Sequence, residues 1–177
     1  MTLFTRIRRS LLTFTLLTLL LCALVPATVA ADSSTYQDPN GAYSFTLPDG
    51  WQALPPDSRG TAFTDTVNGT VFVLTSISTG GLLSLNDANQ AFSSSFPNEP
   101  GYMADPVGVQ DITIGKQPAK GFSYHSNNTD GSPLSTAAVT VINNGTAYLM
   151  LFLTTPDKED ASSPGVGTIL SSFQFTS

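Results

Sequence analysis

The sequence predicts an α+β domain, a hairpin-rich antiparallel sheet with two helices separating its halves, on three observations. Strand-length segments that alternate or run apolar meet at Pro-Asp-Gly, Asn-Gly and Gly-Lys turns. Only two stretches change to helical spacing, Leu85 to Phe96 and Val166 to Phe173. No repeat, long linker or low-complexity tract divides the chain.

The first strand is Ala42 to Leu47, where Tyr43, Phe45 and Leu47 point one way while Ala42, Ser44 and Thr46 point the other. Pro48-Asp49-Gly50 turns the chain and delivers Trp51, the single tryptophan, to close one end of the core. Thr61 to Thr66 and Thr70 to Ser76 flank Val67-Asn68-Gly69, where Asn-Gly predicts a type I′ hairpin turn. The second arm, TVFVLTSI, is apolar on both faces, so it is expected to be covered on both sides.

After Gly80-Gly81, Leu85, Ala88, Phe92 and Phe96 share one helical face; Ser84 with Asp87 resembles a capping box, and Pro97 and Pro100-Gly101 stop the helix. Residues 98–106, NEPGYMADP, read as an exposed loop. Val109 to Ile114 and Gln117 to His125 meet at Gly115-Lys116, with Pro118 marking a strand beginning or an edge. Leu134 to Ile142 folds at Asn143-Asn144-Gly145 onto Thr146 to Thr154, whose AYLMLFL run places it centrally. Ser163 as N-cap and Pro164 at the first helical position open the second helix. The closing SFQFTS is a short strand or an extension packed on the sheet.

The chain begins with Arg6, Arg8 and Arg9, then LLTFTLLTLLLCALVP, then the small-residue exit ATVAADSS. That order is a secretory signal peptide, with cleavage fitting after Ala30 or Ala31. The expected organisation is a signal peptide over 1–31, a short extension over 32–41 and one domain over 42–177. Uncut, residues 11–30 could just span a bilayer as an anchor, but Pro26 and the small residues after it favour cleavage. Cys22 follows Leu21 inside the apolar run, which argues against lipidation; the Arg8-Arg9 pair does not separate twin-arginine from general export. The mature chain is expected outside the cytosol, meeting a membrane only if the leader stays uncut.

Cleavage leaves Arg59, Lys116, Lys120 and Lys158 against thirteen acidic side chains, a net charge of about −9 with His125 neutral. Such a surface repels a phosphate backbone, so nucleic acid is excluded as a partner, and so is an anionic membrane. The one cysteine lies in the leader, so the mature chain has neither a thiol nucleophile nor a disulfide. One histidine rules out a zinc site of two or three histidines. No G-x-S-x-G elbow and no phosphate-binding glycine loop is present. Hydrolysis would have to rest on carboxylates.

At Tyr43, Phe45, Leu47, Pro48, Gly50 and Trp51 the wording G-x-Y-x-F-x-L-P-x-G-W resembles the N-terminal strand of PsbP-like proteins and their bacterial secreted relatives. The resemblance continues in ITIGKQPAKGFSY and in ILSSFQF, and so spans nearly the whole mature chain. It implies the PsbP/Ran-binding import-factor fold, a central antiparallel sheet sandwiched by helices in α/β/α order. It also implies a role in docking or stabilising partners rather than in catalysis, with a bacterial envelope protein as the setting.

Four groups of residues are site candidates. Ser126 to Gly131 nearly spells the first half of a calcium loop, with Asn128 and Asp130 as ligands, but Ser126 stands for the first aspartate and Ala137 for the last glutamate. A polar loop between strands accounts for the same residues. Asp157, Glu159 and Asp160 could bridge a hard cation, or serve the positive end of the helix dipole. Tyr102, Met103, His125 and Asn127 are partner-contact candidates on the loops around 98–105 and 126–133. Asn68, Asn127 and Asn144 lie in N-x-T sequons that turn geometry already explains. The reading is a monomeric, non-catalytic binding module for a protein or small ligand, using those loops or the outer sheet face, with no cofactor. Its rivals are a glycosidase-like hydrolase, which needs two facing acids drawn from Asp49, Asp57, Asp105, Asp111 and Asp130, and a structural subunit of an envelope complex.

Overall fold

Strands with one apolar face need a cover, and this chain supplies it with a second, smaller sheet as well as with helices. The structure, a computed structural model, describes residues 33–55, 60–95, 103–104, 109–128 and 130–176. These belong to one compact unit, Asp32–Ser177; the other unit, Met1–Ala31, lies outside the described residues.

The strands are β1 (Ser34–Gln37), β2 (Tyr43–Leu47), β3 (Trp51–Ala53), β4 (Thr61–Asp65), β5 (Val71–Ser78), β6 (Met103–Ala104), β7 (Gln110–Ile114), β8 (Gln117–Asn127), β9 (Pro133–Asn143), β10 (Thr146–Thr154) and β11 (Gln174–Phe175). The helices are α1 (Leu85–Ser95) and α2 (Glu159–Ser172), the latter entered through a 3-10 turn, Pro156–Lys158. The large sheet has the order β3-β4-β5-β10-β9-β8-β6, with β7 also on β8, and the small one the order β1-β2-β11. All the pairings are antiparallel. β10 is central, as its apolar run predicts. Two features go beyond the sequence reading. Ser34–Gln37 forms a strand on β2, with Tyr36 opposite Phe45, and the Pro48-Asp49-Gly50 corner carries the chain from the small sheet into the large one.

The two sheets and α2 enclose the inner core. Tyr43, Phe45 and Leu47 of β2 meet Phe63, Phe72, Leu74, Met150 and Phe152 of the large sheet, with Ile169 and Phe173 closing from the α2 side. Rings pack edge-on and stacked at the distances that aromatic quadrupoles favour: Phe72 on Phe152 at 4.6 Å, Tyr36 on Phe63 at 4.8 Å, Tyr43 on Phe173 at 5.4 Å. Trp51 is 6% exposed. The aromatics of the first strand and its turn are therefore packing residues.

Helix α1 covers the opposite, outer face with Ala88 and Phe92 on Ala138, Ala147 and Leu149. Its start is the expected capping box: Asp87 N–H donates to Ser84 Oγ at 3.2 Å, and Ser84 N–H and hydroxyl donate to Asp87 Oδ2 at 3.2 and 2.6 Å. These bonds to Ser84 hold the Asp87 carboxyl below its ordinary value. Phe96 and Pro97, expected to end the apolar face and the helix, lie outside the described residues.

Thr140 pairs with Leu149 on the outer face, and its buried hydroxyl finds no partner among the described residues. An unsatisfied buried hydroxyl costs about 1–3 kcal/mol. Thr140→Val keeps the shape and removes that cost, so the denaturant midpoint is expected to rise by the equivalent of about 1 kcal/mol. A fall would mean that the hydroxyl is bonded.

Three local expectations are corrected. At Val67-Asn68-Gly69 only Gly69 has positive φ, 76°, so the connection is a four-residue loop closed by Gly69 N–H on Asp65 O at 2.8 Å, not a type I′ turn. Type I′ geometry occurs instead at Gly115-Lys116 (φ 55° and 70°) and at Asn144-Gly145 (48° and 73°), where both central residues are left-handed. Helix α2 begins at Glu159, a full turn before Ser163, and Pro164 lies inside it. The preceding 3-10 turn and the acidic first turn start the helix, and Ser163 spends its hydroxyl on Glu159 O at 2.9 Å rather than on a cap.

Two glycines of α2 differ in surroundings. A Cβ on Gly165 would stand 2.9 Å from Trp51 Nε1, whereas one on Gly167 would meet nothing within 4 Å. Gly165→Ala is expected to lose about 1–2 kcal/mol by overpacking against the indole, outweighing its helix preference. Gly167→Ala should gain about 0.5–1 kcal/mol. Urea unfolding followed through Trp51 fluorescence reads both signs, and equal effects at the two positions would contradict the packing.

Candidate functional site

A helix of eleven residues is about 16 Å long, while the strands of the large sheet, spaced about 4.8 Å apart, extend over roughly twice that. One helix cannot cover such a face. α1 lies over β8, β9 and the start of β10, and the outer face beyond it forms a groove of about 830 Å³.

Register builds its floor. Ala62, Val73 and Leu151 are successive cross-strand partners on β4, β5 and β10, and Val71 pairs with Leu153 one step along. All five are half-buried. Leu54 and Pro55 rise on the β4 side, Leu134 lies on the β9 side, and Asn128 and Thr155 stand at one end. Among the described residues, no side chain in the wall is ionisable. The same face of β5 continues past Thr75 to Ile77, which is 55% exposed. The expectation that β5 is covered on both sides is therefore corrected: Phe72 and Leu74 are buried inward, and the outward residues line an open surface.

The inner face carries two smaller clefts. Between α2 and the ends of β8–β10, about 330 Å³ is lined by hydroxyls, among them Ser123, Ser135 and Ser163. At its base Thr70 Oγ1 bonds Ser162 Oγ and donates to Thr154 Oγ1 at 3.2 Å. The second cleft, about 360 Å³, holds Asp38, Tyr43, Thr61 and Tyr148. Burial pushes both phenols upward, more strongly at Tyr43, which favours their neutral, donating form.

The sequence candidates fall into local pairs and turns. His125 Nε2 lies 3.0 Å from Glu159 Oε1, joining β8 to the start of α2. Met103 belongs to β6, where its backbone pairs with that of His125, so this part of the expected loop is strand. Tyr102, Thr129, Asp57 and Asp105 lie outside the described residues. Asn127 ends β8 opposite Pro133 and is exposed. Asp130 Oδ1 accepts Ser132 N–H and hydroxyl at 2.9 and 2.7 Å, and those bonds hold its carboxyl low; Asn128 Nδ2 donates to Ser132 Oγ at 2.9 Å. Asp157 accepts the Thr155 hydroxyl, which likewise lowers its carboxyl, and Asp160 is exposed in the first turn of α2. These oxygens thus serve turns and a helix start. Among the described residues no three of His, Cys, Asp and Glu gather as metal ligands.

Sequence reasoning missed two features. The groove is one, because Val71, Val73, Leu151 and Leu153 are as apolar as their buried neighbours. The other is Asp65, 4% exposed, whose Oδ1 accepts Val67 and Asn68 N–H at 2.8 and 3.1 Å and whose Oδ2 accepts Asn68 Nδ2 at 2.7 Å. Its signal was an aspartate two and three residues before the amides of a tight loop. Among the described residues, the groove and the two inner-face clefts each have at most one carboxylate in the wall, Asp38 in one cleft and Glu159 in the other. Among the described residues no helix is long and apolar enough to cross a membrane.

No family model matches the chain, and no curated protein sequence does. Solved structures do match in fold. Cyanobacterial PsbP (CyanoP) from Synechocystis superposes with a TM-score of 0.60 at 17% identity, over 85% of this chain and 96% of that one. LpqN of Mycobacterium tuberculosis, described as involved in cell envelope biogenesis, gives 0.59 at 16% identity, over 82% and 91%. Mog1 gives 0.55 at 9% identity, over 81% and 95%. The domain thus has the PsbP-like fold, an α+β sandwich with helices on both faces of its antiparallel sheet.

Proposed function

We propose that the mature chain is a secreted, non-catalytic binding module whose contact surface is the open half of the outer sheet face. The observation that carries this reading is the uncharged apolar floor of Ala62, Val71, Val73, Leu151 and Leu153, left half-buried beside a helix too short to reach it. A concave, mostly apolar surface with a few polar groups at one end is the usual form of a ligand site. The signal-peptide-like leader supports an extracytoplasmic location, and the PsbP-like fold is in keeping with docking. The carboxylate hydrolase lacks comparable support, because among the described residues the groove and the two inner-face clefts each hold at most one acid.

The test is a thermal-shift screen of the mature chain against fractions of its own envelope extract, run in parallel on Val73→Asp and on Thr168→Ala, a control on α2. A fraction that raises the midpoint of the wild type and of the control, but not of Val73→Asp, supports the outer face. Stabilisation that survives Val73→Asp places the contact elsewhere, and no stabilisation by any fraction at saturation counts against a binding module.

A further inference from the structure

Building on that reading, we propose that the groove takes a neutral single-chain amphiphile, an alkyl or acyl chain carrying an uncharged hydroxyl- or amide-bearing head. Charge, polarity and length all favour it.

Among the described residues, the wall contains no ionisable side chain, in a domain that carries thirteen acidic residues. An anionic head would enter against the field of a mature chain of net charge about −9. A cationic head would find no carboxylate to pair with among the described residues of the wall. A polar protein surface would leave its hydrogen-bonding groups unpaired against Val73 and Leu151.

Polarity changes along the groove. Its floor is aliphatic, while its end at Asn128 and Thr155 offers an amide and a hydroxyl. The Thr155 hydroxyl already donates to Asp157, so toward a ligand it presents an acceptor. A head rich in hydroxyl or amide donors matches that end, and the Asp157 carboxylate behind Thr155, already engaged by that hydroxyl, opposes an anionic head.

Length fits a chain rather than a compact ring. From Thr155 to Leu149, the partner of Thr75, β10 runs six residues, about 20 Å of strand. The volume of about 830 Å³ lies within the range of small-molecule sites, roughly 300–1,000 Å³, with room for a decyl or dodecyl chain and its head.

The experiment is calorimetric titration of the mature chain with octyl, decyl and dodecyl maltosides below their micellar concentrations, with dodecanoate as the anionic counterpart. The expected result is saturable one-to-one binding that tightens about three- to fourfold per added methylene, the factor that burial of each CH₂ implies. Dodecanoate should bind at least tenfold more weakly than the dodecyl maltoside. Val73→Asp, which puts a charge on the floor, and Ala62→Phe, which fills it, should each weaken maltoside binding at least tenfold. Circular dichroism and thermal melts confirm that both variants fold, and either one alone suffices for the comparison.

Absence of saturable maltoside binding, or equal binding of dodecanoate, overturns the ligand class. If an envelope fraction still stabilises the wild type and not Val73→Asp, the contact face survives that loss. Maltoside binding undiminished in both variants overturns the ligand class and the contact face together.

Discussion

Phe45→Ala is expected to remove about 4 kcal/mol of stability and to lower the thermal midpoint by about 10–15 °C. Phe45 is 1% exposed on β2 and touches five other rings: Tyr36 and Phe63 at 5.2 Å, Phe72 at 5.6 Å, Phe173 at 5.9 Å and Tyr43 at 6.4 Å. These rings come from β1, β2, β4, β5 and the residue just after α2, so the cavity opens where the two sheets meet and no single element can shift to close it. A loss of this size is a large fraction of the roughly 5–15 kcal/mol that holds a domain together. Phe45→Leu keeps most of the volume and should cost about 1–2 kcal/mol. Urea unfolding of the two variants checks the ratio, and a cost below about 1 kcal/mol for the alanine would show that β2 does not carry the inner core.

Asp65→Ala is expected to cost about 3 kcal/mol without opening a comparable cavity. Its carboxylate is the acceptor for two backbone amides and for the Asn68 side chain, and Asn68 Nδ2 also reaches Ala161 O at 3.4 Å. The loop between β4 and β5 is thereby tied to α2. Alanine removes the charged acceptor of all three donors, and water, which reaches the exposed Val67, replaces it only in part. Asp65→Asn retains one acceptor oxygen but sets an amide against the Asn68 amide, and should lose about half as much. Hydrogen exchange distinguishes this from a packing loss: Asp65→Ala should raise exchange at Val67, Asn68 and the first turns of α2, and uniform acceleration across the large sheet would contradict the account.

Much of the fold was legible because its signals are local. Alternation at Tyr43, Phe45 and Leu47 fixes which face of β2 is buried, and the apolar run of β10 places that strand centrally. Ser84 and Asp87 act within one helical turn. Where several local rules compete, the sequence was ambiguous. Asn68-Gly69 satisfies a type I′ pattern, yet the buried Asp65 carboxylate captures the loop amides and draws a four-residue loop. Ser163-Pro164 has the wording of a helix start, but the 3-10 turn and the acids at 157–160 begin the helix a turn earlier, inside which Pro164 is carried.

The binding face was the least legible feature, since an outward Val73 and an inward Phe72 differ only in what lies above them. That depends on how far α1 reaches, and a helix's reach is a matter of tertiary geometry rather than of any residue pattern. His125 and the acids of Asp130 and Asp157 drew attention as rare or clustered groups, and the structure gives them partners in Glu159, Ser132 and Thr155.

The most direct measurement is amide NMR of the mature chain titrated with dodecyl maltoside below its micellar concentration. Shift changes confined to Val71–Thr75 on β5, Leu151–Thr155 on β10, the neighbouring Ala62 and Asn128 at the polar end are the predicted result. Changes centred instead on His125 and the first turn of α2, or spread over the inner-face clefts around Tyr43 and Ser162, would contradict the claim that the open half of the outer sheet is where this domain binds.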